Sequence, residues 1–397
     1  MINLKKQTYR LKEIIARVGV FMQKGFEKKL LLLIYIIFWF IVMSPVIYSA
    51  ELKTTASAAI LIDQISGQVL HGENIHKKLP PASLTKVLTA VVAMENCNLN
   101  EIVTVSRRAA YQEGSSIYLE EGEKISLEEL LYAILLSSGN DAAVAIAEHV
   151  ASSVEDFALL MNLTAKKAGA INSNFVNPSG LPDIAHYSTA YDLAMITRYA
   201  FNYRKFAEIT ATKNKTISWS GHNWGRGLHN HNKMLWTYSG ATGGKTGYTK
   251  AAGRCLITTA SKKNRNFVAV VLNCSSDWYE VAKLLDYGFD SFKKKTVINK
   301  GDKIVEFSIE EGEREKVSLL AAESLELLVE NNGSLKLTKE IYYDDSISLP
   351  IKKGDIIGVM IIKNNNFEKK INLKAEYDID YNSKFKKFWR KISNFHS

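Results

Sequence analysis

The sequence predicts an α+β fold followed by a β-rich module, and three observations carry that prediction. Between residues 83 and 200 the apolar residues recur at helical spacing in successive runs. Beyond Gly243 the pattern changes to strands. From Lys295 short alternating segments are separated by Gly301-Asp302, Asn331-Asn332-Gly333 and Gly354-Asp355, which is turn chemistry at regular intervals. A chain of 397 residues has room for two or three domains and for a core that needs no covalent staples. Its three cysteines, Cys97, Cys255 and Cys274, are odd in number and lack metal spacing, so they read as small buried apolar residues.

The elements follow in order. Residues 58–70 (AAILIDQISGQVL) are two apolar runs around a glycine turn, a β-hairpin. Pro80-Pro81 stops that unit, and residues 83–94 (SLTKVLTAVVAM) open an apolar helix. Residues 126–136 and 141–150 predict two more helices, broken at Ser137-Ser138-Gly139-Asn140, and 154–168 and 192–200 two others. Residues 254–259 and 267–273 predict a second hairpin, closed by a helix over 280–292. The segments KIVEFSI, KVSLLA, LELLV, IIGVMII and KKINLKA then predict the β module, with no histidine, cysteine or clustered site in it.

The ends of the chain speak to compartment. A Lys- and Arg-rich stretch ends at Lys28-Lys29, and residues 30–50 carry no charge, the pattern of a secretory signal or an uncleaved anchor. Tyr48 makes a cleavage site after Ala50 imperfect, and Met22 opens a shorter version of the same segment. The remainder is expected to be exported. At the other end, KFKKFWRKISNF (384–395) places Phe385, Phe388, Trp389, Ile392 and Phe395 on one helical face and cations on the rest, which predicts a helix lying on an anionic membrane surface. Lys and Arg total 51 against 41 acids, but the excess is dispersed and the compartment is wrong for nucleic acid, so no nucleic-acid partner is expected. The expected organisation is therefore 1–50 basic region and signal, 51–294 catalytic domain, 295–376 β-rich domain and 377–397 membrane-associating tail.

Chemistry concentrates in three short motifs. Ser83-Leu84-Thr85-Lys86 sits at the start of an apolar helix, where a spacing of three puts Ser83 and Lys86 on one face. A serine hydroxyl needs a neighbouring base, and a lysine can be that base if burial and a second cation lower its pKa. Ser138-Gly139-Asn140 lies at a helix break that can project a hydroxyl and an amide into a cleft, although Asn140 would equally start a helix. In Lys245-Thr246-Gly247, before Tyr248, a cation and a hydroxyl can meet a carboxylate, and Gly247 lets a substrate backbone approach the strand.

Singly each triplet is common; in this order they form the signature of penicillin-recognising serine acyl-transferases. The segments PPASLTKVLTAVVAMEN, LLSSGNDAAVAIAEHV, NPSGLPDIAHYSTAYDLAMI and GGKTGYTKAAGRCLITTA closely resemble the low-molecular-weight penicillin-binding proteins that are serine-type D-alanyl-D-alanine carboxypeptidases. The resemblance runs from about residue 55 to the C-terminus. It implies a β-lactamase/transpeptidase-like catalytic domain, an antiparallel sheet flanked by helices with a helical lobe, and a C-terminal β-rich domain. It implies Ser83 as the acylated nucleophile, Lys86 as general base, Ser138 as proton relay and Asn140 as holder of the substrate amide and Lys86. Lys245 and Thr246 would bind the terminal D-alanine carboxylate, and the N–H groups of Ser83 and Tyr248 would form the oxyanion hole. The implied substrates are peptidoglycan stem peptides and the implied inhibitors β-lactams, with no cofactor. Two positions depart from the family pattern: Gly244 replaces a bulky residue, and Ser276-Asp277-Trp278 carries no arginine as a second carboxylate contact.

Other candidates are weaker. His229-Asn230-His231, with His222 near in sequence, lacks a completing ligand pattern for a metal, and the resemblance makes this stretch the strand approaching the Lys-Thr-Gly element. His186 reads as a hydrogen-bonding loop residue and Glu120-Glu121-Gly122-Glu123 as a solvated turn. The rival functions are a β-lactamase, a cross-link endopeptidase and a non-enzymatic wall-binding protein. The segment NPSGLPDIAHYST supplies no deacylating glutamate for a class A β-lactamase, and the intact motifs speak against a decayed site.

Overall fold

A computed structural model describes residues 12–20, 29, 33, 35, 52–309, 312–314, 316–331, 333, 336–344, 347–364 and 367–382. The expected signal run lies largely outside these residues, as does the amphipathic tail. Residues 12–20 are helical and exposed. Among the described residues no helix is long and apolar enough to cross a membrane.

The hairpin expected at the start is β1 (Ala58–Asp63) and β2 (Val69–Glu73). A 3-10 turn (Ala82–Leu84) leads into α1 (Thr85–Asn96), then β3 (Ile102–Thr104), α2 (Arg107–Ala110), β4 (Lys124–Ser126) and α3 (Leu127–Tyr132). The run expected as one helix to residue 136 instead changes to a π-helical turn (Ala133–Ser137) that ends at Ser138, whose φ is +62°. Helices α4 (Asn140–Ala151), α5 (Val154–Lys167), α6 (Ala190–Ala200) and α7 (Arg204–Ala211) follow, then β5 (Asn214–Ile217), β6 (Arg226–His229) and α8 (Met234–Thr237). The unit ends with β7 (Ala241–Thr249), β8 (Gly253–Lys262), β9 (Arg265–Leu272) and α9 (Asp277–Ser291).

Five strands form one antiparallel sheet in the order β2-β1-β9-β8-β7, so this sheet's first and last strands in sequence pair with each other and β7 lies at an edge. Both faces of this sheet are covered. Along β1, Ala58, Ile60 and Ile62 pack into the cluster that contains α1 and the helical lobe, while Ala59 and Leu61 pack into the one that contains α9. A continuous apolar run, rather than an alternating one, is what two buried faces require. Helix α1 is buried from Thr85 to Ala93 without a polar side, since the sheet and the lobe surround it. Cys255 and Cys274 are buried as expected; Cys97, just past the end of α1, is only half-buried, in a group with Glu101 and His149.

The β module comprises β11 (Lys303–Ser308), β12 (Lys316–Ala321), β14 (Thr338–Tyr343), β15 (Ile356–Asn364) and β16 (Phe367–Ala375), in the order β11-β12-β16-β15-β14. In a separate two-stranded sheet β10 (Phe292–Ile298) pairs with β13 (Leu325–Glu330). The reading of the sequence lacked β10 and β14, whose residues are rich in lysine or mostly exposed and so show no apolar alternation. Gln68 reaches into this pair: its Nε2 donates to Leu328 O at 2.8 Å and its Oε1 accepts from Leu328 N at 3.0 Å, as a neighbouring strand would.

Glu123, expected in a solvated turn, is instead buried. It receives both terminal nitrogens of Arg226, which also donates to Tyr118 O at 2.9 Å and stacks on Trp219 at 4.4 Å. The two side chains are 2% and 4% exposed, so this pair ties the loop at 118–123 to β6 in a dry environment. Removing one partner strands the other charge. Arg226→Leu is therefore expected to destabilise the protein by about 3–5 kcal/mol in equilibrium urea unfolding. Arg108→Leu, which breaks an exposed pair with Glu155, should change stability by less than about 1 kcal/mol.

Candidate active site

The three motifs converge at one end of α1. Ser83 lies in the 3-10 turn rather than in the helix proper, one residue after Ala82, whose φ is +49°. Gly180 helps to set that turn. Its φ is +83° and a β-carbon there would fall 1.9 Å from Ala82 O, so no other residue fits without moving the nucleophile's backbone. On the opposite side Gly247 lies against the Ser83 amide, with 3.1 Å between that nitrogen and the position of a β-carbon.

Lys86 is fully buried and its Nζ touches three oxygens: Ser83 Oγ at 3.0 Å, Asn140 Oδ1 at 2.7 Å and Ser179 O at 2.8 Å. Burial, and then the charge of Lys245, push its pKa well below the ordinary lysine value, against an opposing pull from Asp141. A neutral amine has two N–H bonds and one lone pair. Donation to Asn140 Oδ1 and Ser179 O uses the two hydrogens and leaves the lone pair for the Ser83 hydroxyl. The contact set matches that of a general base.

Asn140 is held so that its oxygen faces Lys86. Its Nδ2 donates to Glu113 O at 2.6 Å and its backbone N–H to Ser115 O at 2.6 Å. Beside it, buried Asp141 accepts from Ser116 Oγ at 2.6 Å and from the N–H groups of Ile117 and Leu119, which fixes the loop that carries those carbonyls. Asn140 thus also begins α4, so its structural and its site reading both hold.

Lys245 reaches from the edge strand to the same point. It is 1% exposed, donates to Ser138 Oγ at 3.1 Å and to Thr246 O at 2.9 Å, and burial lowers its pKa to about 7. Ser83, Ser138, Thr246, Gly247 and Tyr248 together line a cleft of about 310 Å³. All eight residues singled out by motif are therefore in or beside one site. The departure at Gly244 has a backbone cause: φ is +130° and a β-carbon would lie 2.1 Å from Ile257 O on β8.

The histidines divide. His186 Nδ1 accepts from Val176 N at 3.1 Å, which leaves Nε2 to donate to Thr85 Oγ1 at 2.9 Å; burial lowers its pKa to about 4, so it is a neutral loop anchor. His222 and His229 are separate, one between Trp219 and Trp224 and the other stacked on Trp236. His231 lines the cleft, its pKa lowered by burial and then by Lys245. The stretch after β6 is not the expected strand: buried Asn230 and Asn232 tie it to Thr210 O and Gly243 O, and it turns into α8.

Two residues at the site had no motif. Ser179 contacts Lys86 through its carbonyl, which no side-chain pattern reports. Arg254, read only as the start of a hairpin, lines the cleft with Asp277.

A family model described as D-alanyl-D-alanine carboxypeptidase matches residues 45–276, and one described as penicillin-binding protein 5, C-terminal domain, matches residues 292–381. The D-alanyl-D-alanine carboxypeptidase DacF of Bacillus subtilis is 34% identical over 326 residues, 79% of this chain and 83% of that protein. DacC of Escherichia coli is 32% identical, over 80% of this chain and 83% of that protein. The crystal structure of penicillin binding protein 5 from Haemophilus influenzae superposes with a TM-score of 0.70 at 27% identity, covering 83% of this chain and 98% of that one. The sheet with its helical lobe, the trailing β-rich module and these matches agree: the chain belongs to the D-alanyl-D-alanine carboxypeptidase family of penicillin-binding proteins.

Proposed function

We propose that this serine carboxypeptidase removes the terminal D-Ala from peptidoglycan stem pentapeptides through an acyl-enzyme at Ser83. The observation that carries this is the Lys86 contact set, which leaves a basic lone pair on the Ser83 hydroxyl in a buried site. Lys86 takes the hydroxyl proton as Ser83 Oγ attacks the carbonyl between the two D-alanines. The Ser83 and Tyr248 N–H groups receive the oxyanion. The C–N bond breaks as the leaving amine takes the proton, relayed by Ser138, and water then hydrolyses the ester by the same base. Lys245 and Thr246 hold the terminal carboxylate, Asn140 the substrate amide, and Gly247 admits the peptide backbone beside β7. A β-lactam, whose carbonyl and carboxylate imitate this end of the peptide, acylates the same serine.

The chain works on the outer face of the cytoplasmic membrane. The uncharged run at 30–50 exports it, as a cleaved signal or a retained anchor, and the basic aromatic tail at 384–395 rests on anionic lipid. This supports a site kept close to new wall material, with the β-rich domain as its spacer.

Four outcomes test this reading. Incubation with a D-Ala-D-Ala-terminated pentapeptide should yield a tetrapeptide by mass spectrometry, and penicillin should leave a covalent adduct on the peptide bearing Ser83; Ser83→Ala should show neither. An adduct on another serine would overturn the assignment. Lys86→Arg keeps the charge but cannot give up its proton near neutral pH, so acylation should fall by at least about 100-fold at every pH from 6 to 9. In the wild type kcat/KM should rise with pH through a limb below the ordinary lysine range, because the base acts when deprotonated and its pKa is lowered. Truncation after Asp380, in a chain starting at Glu51, should abolish salt-sensitive binding to vesicles containing anionic lipid; unchanged binding would remove the tail from the reading.

A further inference from the structure

The cleft in front of Ser83 is bounded by a guanidinium that the mechanism above does not use. Arg254 stands on β8 opposite Tyr248 of the edge strand β7, and its side chain, 47% exposed, lines the cleft together with Ser138, Thr246 and Gly247. It is held firmly. Nε donates to Asp277 Oδ1 at 3.0 Å and one terminal nitrogen lies 2.9 Å from the same oxygen, while Asp277 itself is 5% exposed at the first turn of α9. This side-on grip commits two of the three nitrogens. The third, Nη1, has no hydrogen-bond partner among the described residues.

The neighbouring cation is a poor sole counter-charge. Lys245 is fully buried and its ammonium is already used by Ser138 Oγ and Thr246 O, and burial, which brings its pKa down to about 7, disfavours its charge. A guanidinium keeps its charge at any such pH and presents donors in a plane suited to a carboxylate.

We propose that Arg254, aimed by Asp277, contacts the terminal carboxylate of the substrate and sets the preference for a free acid over a neutral C-terminus. The inference rests on the acyl-transfer reading given above. Arg254 is then a specificity residue and Asp277 a positioning residue. It also relocates the missing arginine: the segment Ser276-Asp277-Trp278 supplies the carboxylate that holds the cation, and β8 supplies the cation.

The test compares kcat/KM of the full chain on a D-Ala-D-Ala peptide acid and on its C-terminal amide. A hydrogen bond to a charged group contributes enough that Arg254→Leu should lose roughly 10- to 100-fold on the acid. Its loss on the amide should stay below about 3-fold, and Arg254→Lys should recover part of the acid rate. Asp277→Ala should raise KM for the acid more than it lowers kcat and leave the amide rate near wild type. Equal losses on both substrates, or no loss on the acid, would overturn the proposal while D-Ala release and the Ser83 adduct persist. If the wild type released nothing from either substrate, the acyl-transfer reading would fall, and this proposal with it.

Discussion

Two lysines are buried in one dry site, Lys86 against Ser83 and Lys245 against Ser138, where a positive charge is costly, and much of the structure serves that constraint. Lys86 and Lys245 are each buried, and each is depressed first by desolvation; Lys86 is further depressed by the charge of Lys245. The sheet, α1 and the lobe together keep water away from them. An α1 that is buried all round is therefore more than a core helix: with no solvated face near its start, its second residue, Lys86, has its pKa lowered by desolvation. The same burial would be ruinous without partners, and the partners are fixed oxygens: Asn140 Oδ1, Ser179 O, Ser138 Oγ and Thr246 O.

Those oxygens come from three separate parts of the chain, and each part is held by contacts away from the reacting atoms. Asp141 fixes the loop at 115–119, Asn177 accepts from the backbone of Gly180, and Asn232 ties the stretch before α8 to Gly243. The left-handed residues Ala82 and Ser138 sit where the chain must turn to present a hydroxyl. Buried polar side chains of this kind make the site rigid, since every one of them is costly to leave unpaired.

The convergence is legible in the sequence because the motif residues are side chains whose chemistry requires those types at those positions. The helices and main strands were legible for a similar reason: their apolar periods answer to buried faces. Illegible parts have physical causes. Ser179 contributes a carbonyl, and a backbone atom leaves no signature. The π turn before Ser138 is itself built from an unbroken apolar run, AILL, that reads as ordinary helix. Glu123 sits among acids and glycine, and only its partner Arg226, far along the chain, shows that it is buried. Strand β14 (TKEIYY) is mostly exposed and groups its polar and apolar residues in separate runs, so it carries no alternation to detect. Arg254 looks like the beginning of any strand, and its meaning depends on Asp277, a residue on another element.

The position of β7 at the end of the sheet has a further consequence for the behaviour of the molecule in a crowded envelope. An edge strand offers unpaired backbone groups to any passing extended chain, and a long apolar edge is a template for aggregation. Here the edge reads ATGGKTGYT: three glycines, a buried lysine and no run of β-branched or aromatic residues. Such a strand is a weak template for its own kind. The composition that admits a small peptide beside Ser83 is thus also one that discourages sheet-to-sheet association, so openness to substrate and colloidal stability are met by the same nine residues.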